Sequence, residues 1–260
     1  MDEAGELLDM AAKAAPSMLS CAPGGFTMTG PHGVLALSGE PQADLNMLLI
    51  AAAPGSEDFF LAGADCAARR GLPLLALAPR SAAERVRPVA RQKGFAQAGE
   101  MPVMRLKAEA GLALQGECEL TRVRGIDDVE IAARLQADAF GLPQAAMTRL
   151  LEASLACPTP PQIFIASRGG VAMSTVTITP HGETAGVWTM ATPQAHQRKG
   201  IGRALLTRVL RDLRGDGVRR FYLFATDAGR PLYQSLGFET VATLNAWISG
   251  ASVQTSAGGH

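Results

Sequence analysis

In the second half of the chain, between Cys118 and Trp247, the spacing of apolar and polar residues changes repeatedly. Alternation with a two-residue period, as in CELTRV, QIFIAS and VAMSTVTITP, predicts strands. Apolar residues at helical spacing predict helices over residues 126–140, 144–156 and 200–214. The predicted order is β-α-α-β-β-β-α-β-α-β, which indicates a mixed α/β fold.

The first half has a simpler pattern that partly repeats the end of the second. Its predicted elements are helix Glu3–Ala15 ended by Pro16, strands Val34–Leu37 and Asp44–Ala52, helix Ser56–Arg70, strand Pro73–Ala78, a helix ending near Gly94, and strand Met101–Leu106. The segment PLLALAP, followed by a helix ending in ARQKGF, parallels FYLFATD followed by a helix ending in YQSLGF. This parallel indicates two related halves. We therefore predict domains at 1–116 and 117–248, with a disordered tail at 249–260.

Composition narrows the classes of function. Lys and Arg together number 24, as do Asp and Glu, and this zero net charge disfavours a general nucleic-acid binder. The four cysteines are widely spaced and there are only four histidines, which argues against a metal site. We expect the cysteines to be reduced thiols in a cytoplasmic protein. An acidic N-terminus without a long apolar run predicts neither a signal peptide nor a membrane span.

The stretch HQRKGIGRALL, residues 196–206, carries the clearest chemical signal. A helix N-terminus exposes unpaired N–H groups, and Gly200 and Gly202 would let an anion approach them. Arg198, Lys199 and Arg203 add full positive charge. A polyphosphate site is the interpretation that this pattern favours. The alternative interpretation is a solvated arginine face after an ordinary turn, whereas the Walker and dinucleotide-binding patterns are not matched.

Two motifs resemble those of the GNAT acyltransferase superfamily. Gln197–Gly202 (QRKGIG) is similar to its Q/R-x-x-G-x-G/A signature, and Leu232–Phe238 (LYQSLGF) is similar to its second motif. The resemblance implies two GNAT-like halves, each a mostly antiparallel twisted sheet flanked by helices, with the first half degenerate. That half has Glu57 and Asp58 where phosphates would need positive charge, and Ala90 in place of a tyrosine.

The resemblance also implies a cosubstrate, acetyl-CoA, and the residues that bind it. Those residues are Met190, Ala191, Thr192, Gln197, Arg198, Lys199, Gly200, Ile201, Gly202, Arg203 and Thr226. Thr226 stands where many members have Asn. Tyr233 matches the usual general acid, which protonates the departing thiolate.

The general base is less defined by sequence. Glu183 is the best candidate, with His181 and Asp138 behind it, and a water chain is an equal alternative. A cysteine nucleophile, Cys157, is a weaker competing chemistry.

The implied function is an N-acyltransferase in which a small-molecule or peptide amine attacks the thioester directly in a ternary complex. The alternatives are a non-catalytic acyl-CoA sensor and, less favoured, a nucleic-acid binder using the basic stretch Arg198–Arg220. We expect one cofactor per chain, no nucleic-acid or membrane partner, and a monomer or homodimer.

Overall fold

One eleven-stranded sheet runs through the part of the chain that the computed structural model describes, residues 2–114 and 116–250. The helices within these residues are α1 Glu3–Leu19, α2 Ser56–Arg69, α3 Arg80–Gln92, α4 Ile126–Phe140, α5 Gln144–Leu155, α6 Ile201–Gly215 and α7 Arg230–Ser235. The strands are β1 Phe26–Gly30, β2 Gly33–Leu37, β3 Asn46–Ile50, β4 Leu74–Pro79, β5 Ala96–Leu106, β6 Glu119–Arg122, β7 Gln162–Arg168, β8 Val171–His181, β9 Thr184–Ala191, β10 Arg220–Phe224 and β11 Phe238–Ser249.

The element order predicted for the second half is confirmed, as is the mixed α+β class. The sheet order is β1-β2-β3-β4-β11-β5-β10-β9-β8-β7-β6. Among the described strands only β3–β4 and β9–β10 pair in parallel, so the sheet is mostly antiparallel. The run β3-α2-β4-α3-β5 repeats the order of β9-α6-β10-α7-β11, which agrees with the two related halves.

The last strands of the two halves cross over at the centre of the sheet. Strand β11 lies between β4 and β5, and β5 lies between β11 and β10. Each half therefore completes its sheet with a strand from the other half. The division into two domains at residues 116 and 117 stays a prediction. The sheet is continuous between the two halves, because β4 and β5 pair with β10 and β11.

Apolar residues fill layers on both faces of the sheet. On one face, α1, α4 and α5 cover a core that includes Leu7, Leu49 and Leu150. On the other face, α2 and α3 pack over the first half, and α6 and α7 pack over the second. The candidate site lies where the second of these layers meets the parallel pair β9–β10.

Two first-half elements are longer than predicted. Helix α1 continues through Pro16 to Leu19. A proline inside a helix loses its own N–H bond and crowds the carbonyl four residues before it. Burial of Ala15 and Leu19 on the sheet opposes this cost and favours the extra turn. Strand β5 begins at Ala96 because its first residues pair with β11, a long-range contact that local pattern does not reveal.

The expectation of reduced thiols is wrong for two cysteines. Cys21, after α1, and Cys157, after α5, form a disulfide with Cα atoms 6.2 Å apart. This bond removes the argument from thiols for a cytoplasmic location, while Cys66 and Cys118 are free. The predicted tail begins at Ser249, where β11 ends; the rest of it, residues 251–260, lies outside the described residues. Within the described ranges, no helix combines the length and apolarity that crossing a membrane requires.

Candidate active site

Strands β9 and β10 separate after four paired residues. Their register runs from Thr184 opposite Arg220 to Val187 opposite Leu223 and goes no further. Beyond that point β10 pairs only with β5, on its other side, and β9 only with β8. The two strands therefore leave a cleft with an unpaired strand edge, to which an extended ligand with amide groups can add.

A bulge in β9 shapes this edge. The register with β8 shifts between Thr175 and Thr177, and Thr189 has a left-handed backbone with φ of 39°. The Thr189 hydroxyl donates to Oγ1 of Thr177 at 2.7 Å, which holds the bulge. A bulge redirects the groups that follow it, and backbone strain of this kind is concentrated at functional sites.

The loop that follows β9 is held by its own side chains. Gln197 Nε2 donates to the carbonyl oxygen of Thr192 at 2.9 Å, and Lys199 Nζ donates to that of Ala195 at 2.6 Å. Arg198 has φ of 57°, a second left-handed residue that is not glycine. These bonds fix the turn that leads from the cleft into α6.

Helix α6 begins at this turn with an open N-terminus. Its N-cap, Gly200, is left-handed with φ of 76°, and no side chain caps the helix. The first intrahelical bond runs from the N–H of Ala204 to the carbonyl of Gly200, so the preceding N–H groups have no helical acceptor. Such a terminus can bind an anion such as a phosphate group.

Gly202 brings α6 close to the cleft. A Cβ atom at Gly202 would lie 3.1 Å from both Met190 Cε and Thr192 Oγ1. Thr192 in turn shares a 2.8 Å hydrogen bond with Ser174, whose hydroxyl is also 2.9 Å from the carbonyl oxygen of Ala191. Residues from Met190 to Gly202 thus form one continuous surface along the cleft and its mouth.

The loop is strongly basic. Arg198, Lys199 and Arg203 all lie near the start of α6, and residues 192–207 contain no Asp or Glu. Arg203 Nη1 reaches the carbonyl oxygen of Ser235 at 3.4 Å, which links α6 to the end of α7. The charge therefore adds to the positive end of the helix dipole.

Tyr233 lies on α7, in the same core cluster as Val187 of β9 and Ile201 of α6. Its ring is buried next to Phe238 with centroids 6.0 Å apart, and burial raises its pKa to about 12. Gly229 leaves room for the ring, since a Cβ there would lie 2.9 Å from Tyr233 Cε2. The phenol therefore stays protonated at neutral pH, as a proton donor must.

Thr226 fixes the entrance to α7. Its hydroxyl accepts from the N–H of Gly229 at 3.2 Å, and its carbonyl oxygen accepts from the N–H of Arg230. Thr226 is exposed at the end of β10, across the cleft from β9. It thus lies across from the predicted cofactor-binding residues of β9, and its hydroxyl is engaged with the turn before α7.

The candidate bases lie away from the cleft. Glu183 and His181 lie in and next to the turn before β9, and the nine residues from Glu183 to Thr192 correspond to about 30 Å at the usual strand rise. The Glu183 carbonyl oxygen instead accepts from the N–H groups of Arg219 and Arg220. Asp138 is exposed on α4, and Cys157 is in the disulfide, so neither supports the chemistry proposed for it.

The structure adds residues that the motifs did not indicate. Ser174, Thr177 and Thr189 bond across β8 and β9, and Trp188 and Phe224 stand where the cleft closes. The hydroxyl-rich run STVTIT in β8 is the sequence signal that could have pointed to the first group. In the described part of the chain, no cluster of three or more His, Cys, Asp or Glu residues could hold a metal ion.

Comparisons with known proteins agree with this geometry. The family model described as "Acetyltransferase (GNAT) family" matches residues 130–238. No curated protein matches the sequence significantly.

Solved structures resemble the whole chain in fold. A GCN5-related N-acetyltransferase from Kribbella flavida has a TM-score of 0.68 at 17% identity, and the match covers 96% of this chain and 97% of that one. A tandem GNAT protein from the clavulanic acid biosynthesis pathway has a TM-score of 0.58 at 14% identity, covering 96% and 94%. A putative GNAT-family acetyltransferase from Novosphingobium aromaticivorans has a TM-score of 0.56 at 19%, covering 91% and 97%. Residues 130–238 therefore match the acetyltransferase (GNAT) family model, and the chain shares the fold of these solved structures.

Proposed function

We propose that the chain is an N-acyltransferase that moves an acetyl group from acetyl-CoA to a primary amine by direct attack in a ternary complex. The observation that carries the proposal is the uncapped N-terminus of α6 at the mouth of the cleft between β9 and β10. A site for a diphosphate is thus continuous with a slot for an amide-bearing arm.

The binding roles follow from position. The N–H groups at the start of α6 and the charges of Arg198, Lys199 and Arg203 would hold the diphosphate. Gln197 keeps the loop in place through its bond to Thr192. The backbone of Met190, Ala191 and Thr192 would pair with the pantetheine arm as a strand edge does.

When bound, acetyl-CoA supplies an acyl thioester with a thiolate leaving group. Backbone N–H groups near the bulge at Thr189 would polarise the acyl carbonyl. Tyr233, protonated because burial raises its pKa to about 12, would donate its proton to the departing sulfur. The remaining catalytic power comes from holding amine and thioester together.

No base is assigned among the candidate carboxylates, because Glu183 lies at the far end of β9. The amine would enter uncharged and release its proton to water in the cleft. The acceptor class in this proposal is a small-molecule amine or a peptide amine.

Thiol release across a panel of amines tests this proposal. The protein is incubated with acetyl-CoA and each amine, and free CoA thiol is measured, with Gly202→Glu as the matched control. We expect amine-dependent thiol release by the natural chain and almost none by the variant. Tight acetyl-CoA binding without turnover on any amine would instead favour the sensor.

A further inference from the structure

The cleft between β9 and β10 has an aromatic end. Val187 and Leu223 form the last pair of the parallel register, and the next residue on each strand is Trp188 and Phe224. Their ring centroids are 5.5 Å apart with planes at 73°, so the two rings meet edge to face at the point where the strands part.

The Trp188 ring is fixed in place. Its Nε1 donates to Thr179 Oγ1 at 2.7 Å. Gly186 makes this position possible, since a Cβ there would lie 2.5 Å from Trp188 Nε1. The buried ring of Tyr222 supports both aromatic residues, with centroids 6.1 Å from Trp188 and 6.4 Å from Phe224. Moving either ring would therefore disturb a packed cluster.

On the opposite face of the sheet, buried side chains cover the same position along the two strands. Side chains alternate along a strand, so Val187 and Leu223 point away from the two aromatic rings. Both are buried in the core under α6, together with Tyr233. The cleft is thus blocked on both faces where the strands begin to pair.

The direction in which a CoA thioester would lie along the cleft determines which of its groups reaches the aromatic end. With the diphosphate at α6 and the pantetheine arm beside Thr192 to Met190, an acyl chain points toward Trp188 and Phe224. Trp188 is two residues from Met190, which corresponds to at most about 6.6 Å of strand across the bulge. That space fits an acetyl group, whereas a chain longer by two methylenes would collide with fixed rings.

We propose that Trp188 and Phe224 form a blind end that restricts the acyl group to acetyl and excludes chains longer by two methylenes. This inference rests on the proposed function, because it needs a CoA thioester in the cleft. It assigns acyl selectivity to two residues that lie outside both sequence motifs.

Binding of CoA thioesters tests this assignment without knowledge of the acceptor. Calorimetry would compare free CoA, acetyl-CoA and butyryl-CoA on the natural chain and on Phe224→Ala. We expect the natural chain to bind butyryl-CoA at least about tenfold more weakly than acetyl-CoA, since one methylene in a tight pocket can have an effect of that size. In Phe224→Ala this ratio should fall to about threefold or less.

A matched control is Phe59→Ala, which removes a half-buried ring in the first half and should keep the natural ratio. Phe224→Leu removes less of the side chain and should give an intermediate ratio of butyryl-CoA to acetyl-CoA affinity. This variant replaces Phe224→Ala in the test if the alanine variant does not fold. Equal binding of acetyl-CoA and butyryl-CoA by the natural chain would overturn the blind end. So would an unchanged ratio in a folded Phe224 variant. Failure of free CoA to bind at all would overturn the proposed function, and with it this inference.

Discussion

The turns that begin α2 and α6 have nearly the same backbone and opposite chemistry. Each helix follows the first strand of a parallel pair and has a left-handed glycine as its N-cap, with φ of 83° at Gly55 and 76° at Gly200. Counting from these caps, Glu57 stands where the second half has Gly202, and Asp58 stands where it has Arg203. One turn therefore repels a diphosphate and the other attracts it.

Side chains also fill the first-half turn. The Ser56 hydroxyl bonds to the carbonyl oxygen of Ala51 at 2.7 Å, and Arg85 donates to that of Ala53 at 3.0 Å. His32 packs against Gly55, 3.4 Å from where its Cβ would be. The same backbone turn is thus filled by side chains in the first half and left uncapped among basic residues in the second. Topology alone therefore does not predict which turn would bind an anion.

The largest effect is expected when the two halves of the chain are produced separately. A chain of residues 117–260 lacks β5 and leaves facing edges of β10 and β11 unpaired. We expect it to show no cooperative thermal transition by circular dichroism, and co-expression with residues 1–116 should restore one. A fragment that melts cooperatively by itself would show that the crossed strands are dispensable.

Removing the proposed proton donor should give the next largest effect. Tyr233→Phe keeps the ring and loses the hydroxyl, so turnover with the best amine should fall about 10²-fold with little change in acetyl-CoA affinity. Because the Tyr233 pKa is about 12, the natural rate should show no loss from deprotonation of this group well below that pH. Unchanged turnover in the variant would mean that solvent or another group protonates the thiolate.

Exchanging one residue between the turns that begin α2 and α6 tests whether that residue determines cofactor affinity. Gly202→Glu copies the first-half residue into α6 and sets a carboxylate against the diphosphate. We expect acetyl-CoA affinity to weaken by at least about 2 kcal/mol, through lost charge-assisted backbone bonds. The reciprocal Glu57→Gly should leave affinity unchanged, and calorimetry on both folded variants measures the difference. Similar affinities in the two variants would contradict the role of the α6 turn.

Local pattern was enough to predict the order of helices and strands along the second half and the basic loop. Periodicity and the two glycines carry that information in consecutive residues. The crossing of β5 and β11, the helical turn after Pro16 and the Cys21–Cys157 bond depend on contacts between distant segments. Glu183 was a reasonable candidate by sequence proximity to β9, but strand length carries it to the far end.

Counting cofactor sites tests most directly the claim that only one of the two similar turns binds. Acetyl-CoA would be titrated into the full chain by calorimetry at known protein concentration. The account predicts one site per chain, abolished or strongly weakened by Gly202→Glu and unaffected by a double change of Glu57 and Asp58 to alanine. Two equivalent sites per chain, or loss of binding in the double variant, would contradict it.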